Sequence, residues 1–356
     1  MRISEMMDYI FDDSLEIEDK SIVSSERIKE LTMKKIESGK SRKKNIKIPL
    51  KISVAVAAIC LTGAIGVAAA TVLKVDFYEG LLGNKTKPNV EAHTEYQVDE
   101  DKGLVPYQMP AREYVELDIN EAEEMLGDYV MDTPLKKEIM GNTITIITAV
   151  RDEDCMLMEY TIENENGVDA LYYDEKTNMA KGARWSEKSF AINCKDSGDF
   201  IYVDLEKSTD NKLYCYDYIV FEEEVEDGNN VEFCILDYTK NKDEVKTVEI
   251  IDVPVNKCIP RVKYTSNQGG EMYVSAIGST LNLKKGLNLR LVEPGEIRDV
   301  IIKYDDGTEY VVWDENTLNT GYELGEGEEF RFTFNRLVNI EKIITITVNG
   351  IEYYCK

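Results

Sequence analysis

Residues Ile52 to Leu73 read ISVAVAAICLTGAIGVAAATVL and hold no charged side chain. As a helix, at 1.5 Å per residue, such a run reaches about 33 Å, enough for a hydrocarbon core of about 30 Å. Its flanks are unequal. Lys34, Lys35, Lys40, Arg42, Lys43, Lys44, Lys47 and Lys51 precede it, and a strongly acidic chain follows Lys74. The positive-inside rule then keeps the N-terminus in the cytoplasm and puts everything after Leu73 outside. The expectation is a single-pass chain in the cell membrane with a short inner segment and a large outer one. Two rival readings compete. Val67-Ala68-Ala69-Ala70-Thr71 is a small-residue pattern that suits cleavage of a secretory signal, above all if translation began at Met33. Against it stand a long segment before the basic cluster and that segment's own helical pattern. A buried core helix is the other rival.

Charge divides the chain at the same place. Up to Lys74 there are 13 Lys and Arg against 10 Asp and Glu; beyond it, 29 basic face 58 acidic residues. An outer part with a balance of −29 repels phosphate backbones, so no nucleic-acid partner is expected there. Acidic lipid and wall polymers would repel it too, which favours a stalked ectodomain. Cys60 lies in the apolar run. Cys155, Cys194, Cys215, Cys234, Cys258 and Cys355 follow it, an even number that permits disulfides but is sparse for a disulfide scaffold.

Four segments are expected: a docking segment (1–46), the span with its basic flank (47–74), a β domain with a lead-in helix (75–253) and a C-terminal β domain (254–356). In the first, Ile3, Met6, Met7, Ile10 and Phe11 form one helical stripe. Ile28 and Leu31 give a second helix, capped at Ser24 or Ser25, a narrower apolar edge. Two such short helices need a partner, a cytoplasmic protein or the membrane surface. The acidic residues 1–20 favour the protein. From Val75 to about Arg112 the chain reads as a stalk or irregular lead-in. A short helix follows at Ile119–Leu126, stopped by Gly127.

The pattern then turns to β. Asn142–Val150 is rich in β-branched residues. Met156, Met158, Tyr160 and Ile162 alternate with Leu157, Glu159, Thr161 and Glu163, as in a half-buried strand. Further strands fit 188–194, 200–206, 212–221, 231–238 and 244–252. Pro254–Pro260 reads as a junction. A hairpin turns at Asp305-Asp306-Gly307, and Phe330, Phe332 and Phe334 alternate with polar residues. The last hairpin turns at Asn349-Gly350, which suits type I′. Its register sets Val348, Ile346 and Ile344 opposite Ile351, Tyr353 and Cys355, all on the core side. Short strands without intervening helices argue for antiparallel sandwiches. The expected class is therefore mainly β: two Ig-like sandwiches outside, one transmembrane helix, and a helical N-terminus.

No constellation for catalysis is legible. The single histidine, His93, sits in the irregular stretch, and there is no GxSxG, P-loop or GxGxxG in a strand–helix setting. No cofactor and no metal is expected; the Asp-Gly turns lack the spacing of a calcium loop. An enzyme is not expected. Tyr214, Tyr216 and Tyr218 share a strand face, and with Trp185 they could form an aromatic platform for a glycan, peptide or wall component. Tyrosine is also a common strand residue, and ordinary sheet packing is the favoured reading.

Three features together carry a resemblance: ERIKELTMKKI before a basic cluster, the single apolar run, and an outer part that opens with INEAEEMLG and NTITIITAVRDEDCMLMEYTIEN and closes with ITITVNGIEYY. In these the chain resembles the membrane-anchored anti-sigma factor-like proteins of Gram-positive bacteria that carry an uncharacterised all-β extracellular domain. The resemblance implies that the inner segment holds an extracytoplasmic-function sigma factor and that the outer domains gate its release, commonly through stepwise proteolysis. Zinc-binding anti-sigma domains carry HxxxCxxC, whereas residues 1–39 contain neither His nor Cys. Any sigma contact here would be zinc-free, through Ile3, Met6, Met7, Ile10, Phe11, Ile28 and Leu31.

Overall fold

The computed structural model describes residues 67–84, 87–99, 103–131, 133–168, 171–174, 179–182, 190–204, 206–237, 246–283, 297–326 and 328–355. The expected docking stripe of Ile3, Met6, Met7, Ile10, Phe11, Ile28 and Leu31 lies outside these residues, as do Ile52 and Trp185. No helix among the described residues is long and apolar enough to cross a membrane.

The tail of the apolar run is helical. Helix α1 is described over Val67–Leu82; it contains Leu73 and continues past Lys74 without a break. Beyond Lys74 its apolar residues fall on one face, and Phe77, Tyr78, Leu81 and Leu82 are all fully buried. The expected stalk is thus corrected. The stretch after Leu73 holds the end of a docked helix, then a hairpin of β1 (His93–Asp99) and β2 (Gly103–Met109). The apolar run hides the start of α1, and the turns that remain are too few to show a helical period.

Helix α2 (Ile119–Leu126) forms where expected. Asp118 caps it, its Oδ1 accepting from the amides of Asn120 at 2.9 Å and Glu121 at 3.3 Å, and Gly127 ends it. The first β region follows: β3 (Leu135–Ile139), β4 (Asn142–Arg151), β5 (Cys155–Glu163), β6 (Leu171–Asp174), β7 (Met179–Gly182), β8 (Phe190–Cys194), β9 (Ser197–Val203), β10 (Lys212–Phe221), β11 (Val231–Asp237) and β12 (Lys246–Val253). One sheet runs β3-β4-β5-β10-β9-β6-β7 and a second β12-β11-β8. The pairing is antiparallel apart from a parallel bridge between Tyr173 and Tyr202. The sheets share one core, in which Ile144, Met158, Tyr160 and Ile219 cluster with Phe233, Ile235 and Ile251.

The alternation in β5 predicts one wet face, and the structure has none. Every residue from Cys155 to Ile162 is buried, including Glu159 and Thr161. One face of β5 meets the core just described, while Leu157 joins the cluster that holds the buried residues of α1.

The second β region comprises β13 (Val262–Ser266), β14 (Glu271–Val274), β15 (Gly278–Asn282), β16 (Val300–Tyr304), β17 (Glu309–Trp313), β18 (Thr320–Glu326), β19 (Glu329–Phe334), β20 (Ile343–Val348) and β21 (Ile351–Cys355). They form one antiparallel sheet, β17-β16-β20-β21-β13-β14-β15-β19-β18. The sheet rolls on itself. Trp313, at one end of that order, stacks edge-on against Phe332, near the other end, at 4.9 Å between ring centres.

The terminal hairpin turns at Asn349 (φ 49°) and Gly350 (φ 75°), the two positive angles of a type I′ turn. Val348 pairs with Ile351 and Ile346 with Tyr353, as the sequence suggests. Ile344 and Cys355 do not follow, and both are exposed. Lys303 pairs with Thr345 and Tyr304 with Ile343, so Ile344 is the extra residue of a bulge and turns outward. Cys355 sits past the rim of the core. The six cysteines among the described residues are free thiols.

Candidate functional site at the junction of the two β regions

A third buried cluster joins α1 and α2 to both β regions. It gathers Phe77, Tyr78, Leu81 and Leu82 of α1, Ala122 and Leu126 of α2, Leu157, Tyr202, Tyr216 and Tyr218 of the first region, and Ala276 and Ile277 of the second. Fully burying one large apolar side chain stabilises by roughly 1.5–3 kcal/mol, so the four from α1 bind that helix firmly. Contact is close because glycines permit it. A Cβ on Gly80 would fall 2.1 Å from the Tyr216 ring, and one on Gly321 of β18 would fall 2.0 Å from the Tyr218 ring.

Polar groups fix the C-terminal end of α1. The Leu81 carbonyl accepts from the Tyr218 hydroxyl and, at 2.7 Å, from Lys87 Nζ. Lys87 is itself buried, with its ammonium over the rings of Tyr114 and Tyr218. A cation there complements the negative end of the helix dipole.

The second part of the site is the turn between β4 and β5, Arg151-Asp152-Glu153-Asp154-Cys155. Arg151 is fully buried and donates to the carbonyls of Asp152, Val225, Glu226, Asn229 and Val255, and to Cys258 Sγ at 2.8 Å. One guanidinium thereby ties β4 to the loop before β11 and to the segment after β12. Asp152 accepts from the amides of Asp154 and Cys155 and from the Ser275 hydroxyl of the second region. Asp154 accepts from Thr280 and Arg261, and its other oxygen lies 3.5 Å from Arg331 Nε. The turn is therefore a charged plug of the first region set into the second. Burial raises the pKa of both carboxyls against the pull of the arginines, that of Asp154 to about 6, with the neighbouring Asp152 charge adding to the shift.

A third group lies beside α1. Lys207 Nζ stands 3.0 Å from the Tyr216 hydroxyl, 3.6 Å from Asp76 of α1 and 3.9 Å from Asp204. Buried Glu159 is felt by all three charges. Burial raises its pKa to about 8, with Lys207 opposing and Asp76 and Asp204 adding.

Buried polar contacts tie α1 and the two β regions together here. The Ser275 hydroxyl is engaged by Asp152 and by the amides of Ile277 and Gly278, and burial pushes the Cys258 thiol up to about 12. His93 is exposed, its Nδ1 2.9 Å from the Glu91 carbonyl. Of the expected aromatic platform, Tyr214 is half-buried, while Tyr216 and Tyr218 are buried beneath α1 and β18. That correction follows from the docked helix. The buried charges of the plug carry no periodic signal, although RDED between two strong strands is an unusual run for a simple turn.

No protein-family model and no curated protein matches the chain. A solved structure of a conserved domain protein from Bacillus anthracis is similar over 62% of this chain and 77% of its own, at 14% identity and a TM-score of 0.35.

Proposed function

We propose that the chain is a single-pass membrane regulator of the anti-sigma type. In this reading Ile52–Leu73 spans the membrane, residues 1–46 hold a cytoplasmic sigma factor without zinc, and the two outer regions, read as Ig-like sandwiches, sense from outside. The observation that carries it is α1. The helix leaves the apolar run and enters the junction of both β regions without a hinge, so a rearrangement at the junction moves the end of the span. A flexible stalk would decouple them. No catalytic step is involved. The test is a pull-down from native membranes with the full chain and with a version lacking residues 1–39. A sigma factor recovered only with the full chain supports the proposal; an intact, inserted protein that recovers no cytoplasmic partner overturns it.

A further inference from the structure

A cleft on the acidic surface sets carboxylates around an aromatic floor. It lies between the end of β2 and the loop joining β17 to β18, and encloses about 620 Å³. The two walls are tied by their backbones. The Ala111 amide donates to the Asn316 carbonyl and the Leu318 amide to the Ala111 carbonyl, both at 2.8 Å. Trp313 and Phe330 form the floor, with ring centres 5.3 Å apart in an edge-on pair, and Met109 and Pro110 line one wall. Asp314, Glu315 and Glu323 stand around the cleft. Asp314 Oδ1 shapes the loop by accepting from the amides of Asn316 and Thr317. Arg112 lies near enough to attract Glu323; Glu315 Oε1 accepts from Asn316 Nδ2 at 3.3 Å, and no salt bridge among the described residues takes Asp314 or Glu315.

From this cleft we infer a binding site for a basic peptide, one that presents a Lys or Arg side chain next to an aliphatic one. Among the described residues, three carboxylates against one guanidinium favour a cation, and the surrounding balance of −29 draws it in. The apolar floor takes the aliphatic side chain and the stem of the basic one, and a cavity of several hundred Å³ is of ligand size. A bare polyamine would leave the floor unfilled. A neutral peptide would leave the carboxylates uncompensated. The site stands whether or not residues 1–46 hold a sigma factor.

The chain has two tryptophans, Trp185 and Trp313. Trp185→Phe therefore leaves Trp313 as sole indole reporter. Full-length W185F in detergent micelles is titrated with acetyl-Lys-Leu-Lys-amide, its Glu-Leu-Glu and Gln-Leu-Gln counterparts, and spermidine. Calorimetry on the unmodified chain runs in parallel, in case W185F is misfolded. The expected result is a saturable change in Trp313 emission with the basic peptide alone, weakened about tenfold or more when Glu315 and Glu323 are both changed to Gln. No saturable binding by either method overturns the assignment. An equal response to spermidine, or affinity unchanged by E315Q with E323Q, also overturns it, since bulk charge would then suffice.

Discussion

Strands β10 and β19 both carry aromatic residues at every second position, and the fold treats them differently. Phe330, Phe332 and Phe334 fill the inside of a rolled sheet, where they meet Trp313 and Tyr310 ring to ring. Tyr216 and Tyr218 are as deeply buried, but against a helix and the other β region. Their hydroxyls have work there: one accepts from Lys207, the other holds Lys87 and the Leu81 carbonyl. A phenylalanine stripe needs only volume. A buried tyrosine stripe needs partners, so it fixes the position of whatever covers it.

That contrast can be broken from either side. Phe332→Ala should cost about 3–5 kcal/mol in urea unfolding, because a fully buried ring leaves a cavity in the rolled sheet. Gly80→Ala should cost about 1–3 kcal/mol, and limited proteolysis should show faster cutting at residues 74–84, since the added methyl meets Tyr216. Tyr218→Phe keeps the ring and removes the hydroxyl; about 1–2 kcal/mol should be lost, with no change in the second region's own exchange protection. If Tyr218→Phe is silent, the hydroxyls do not position α1 and the contrast falls.

Smaller effects sharpen the picture. The shifts at Asp154, Glu159, Asp199 and Asp217 are all upward, so the folded chain binds these protons more tightly than the unfolded one. Their contribution to stability is present at low pH and is lost as pH rises, between 3.8 and about 6 for Asp154 and between 4.5 and about 8 for Glu159. Glu159→Gln should therefore match the parent at pH near 4 and exceed it by about 1 kcal/mol or more above pH 8, in unfolding titrations across that range. Ile344→Thr, on the exposed bulge, should stay within about 0.5 kcal/mol of the parent.

The sequence was legible where one face of a strand is wet or a turn has its own chemistry. Strands β4, β11, β16, β17, β20 and β21 fall near their expected places, and the Asn349-Gly350 turn fixes the last register. It misled where a second layer covers the sheet. Alternation in β5 cannot announce a helix laid over its outer face, and the bulge at Ile344 breaks a period of two without any marker residue. The junction was the least legible part. Its determinants are glycines that allow contact, buried arginines that serve carbonyls far along the chain, and carboxyls held by the opposite region. None of these leaves a local pattern.

The continuity of α1 is the claim on which the regulatory reading rests, and hydrogen exchange of the full chain in lipid nanodiscs tests it most directly. The account predicts that amides from Phe77 to Leu82 are protected to the same degree as those of β10, with no fast-exchanging break between Leu73 and Phe77. Exchange at residues 74–82 on the timescale of an open loop would contradict it.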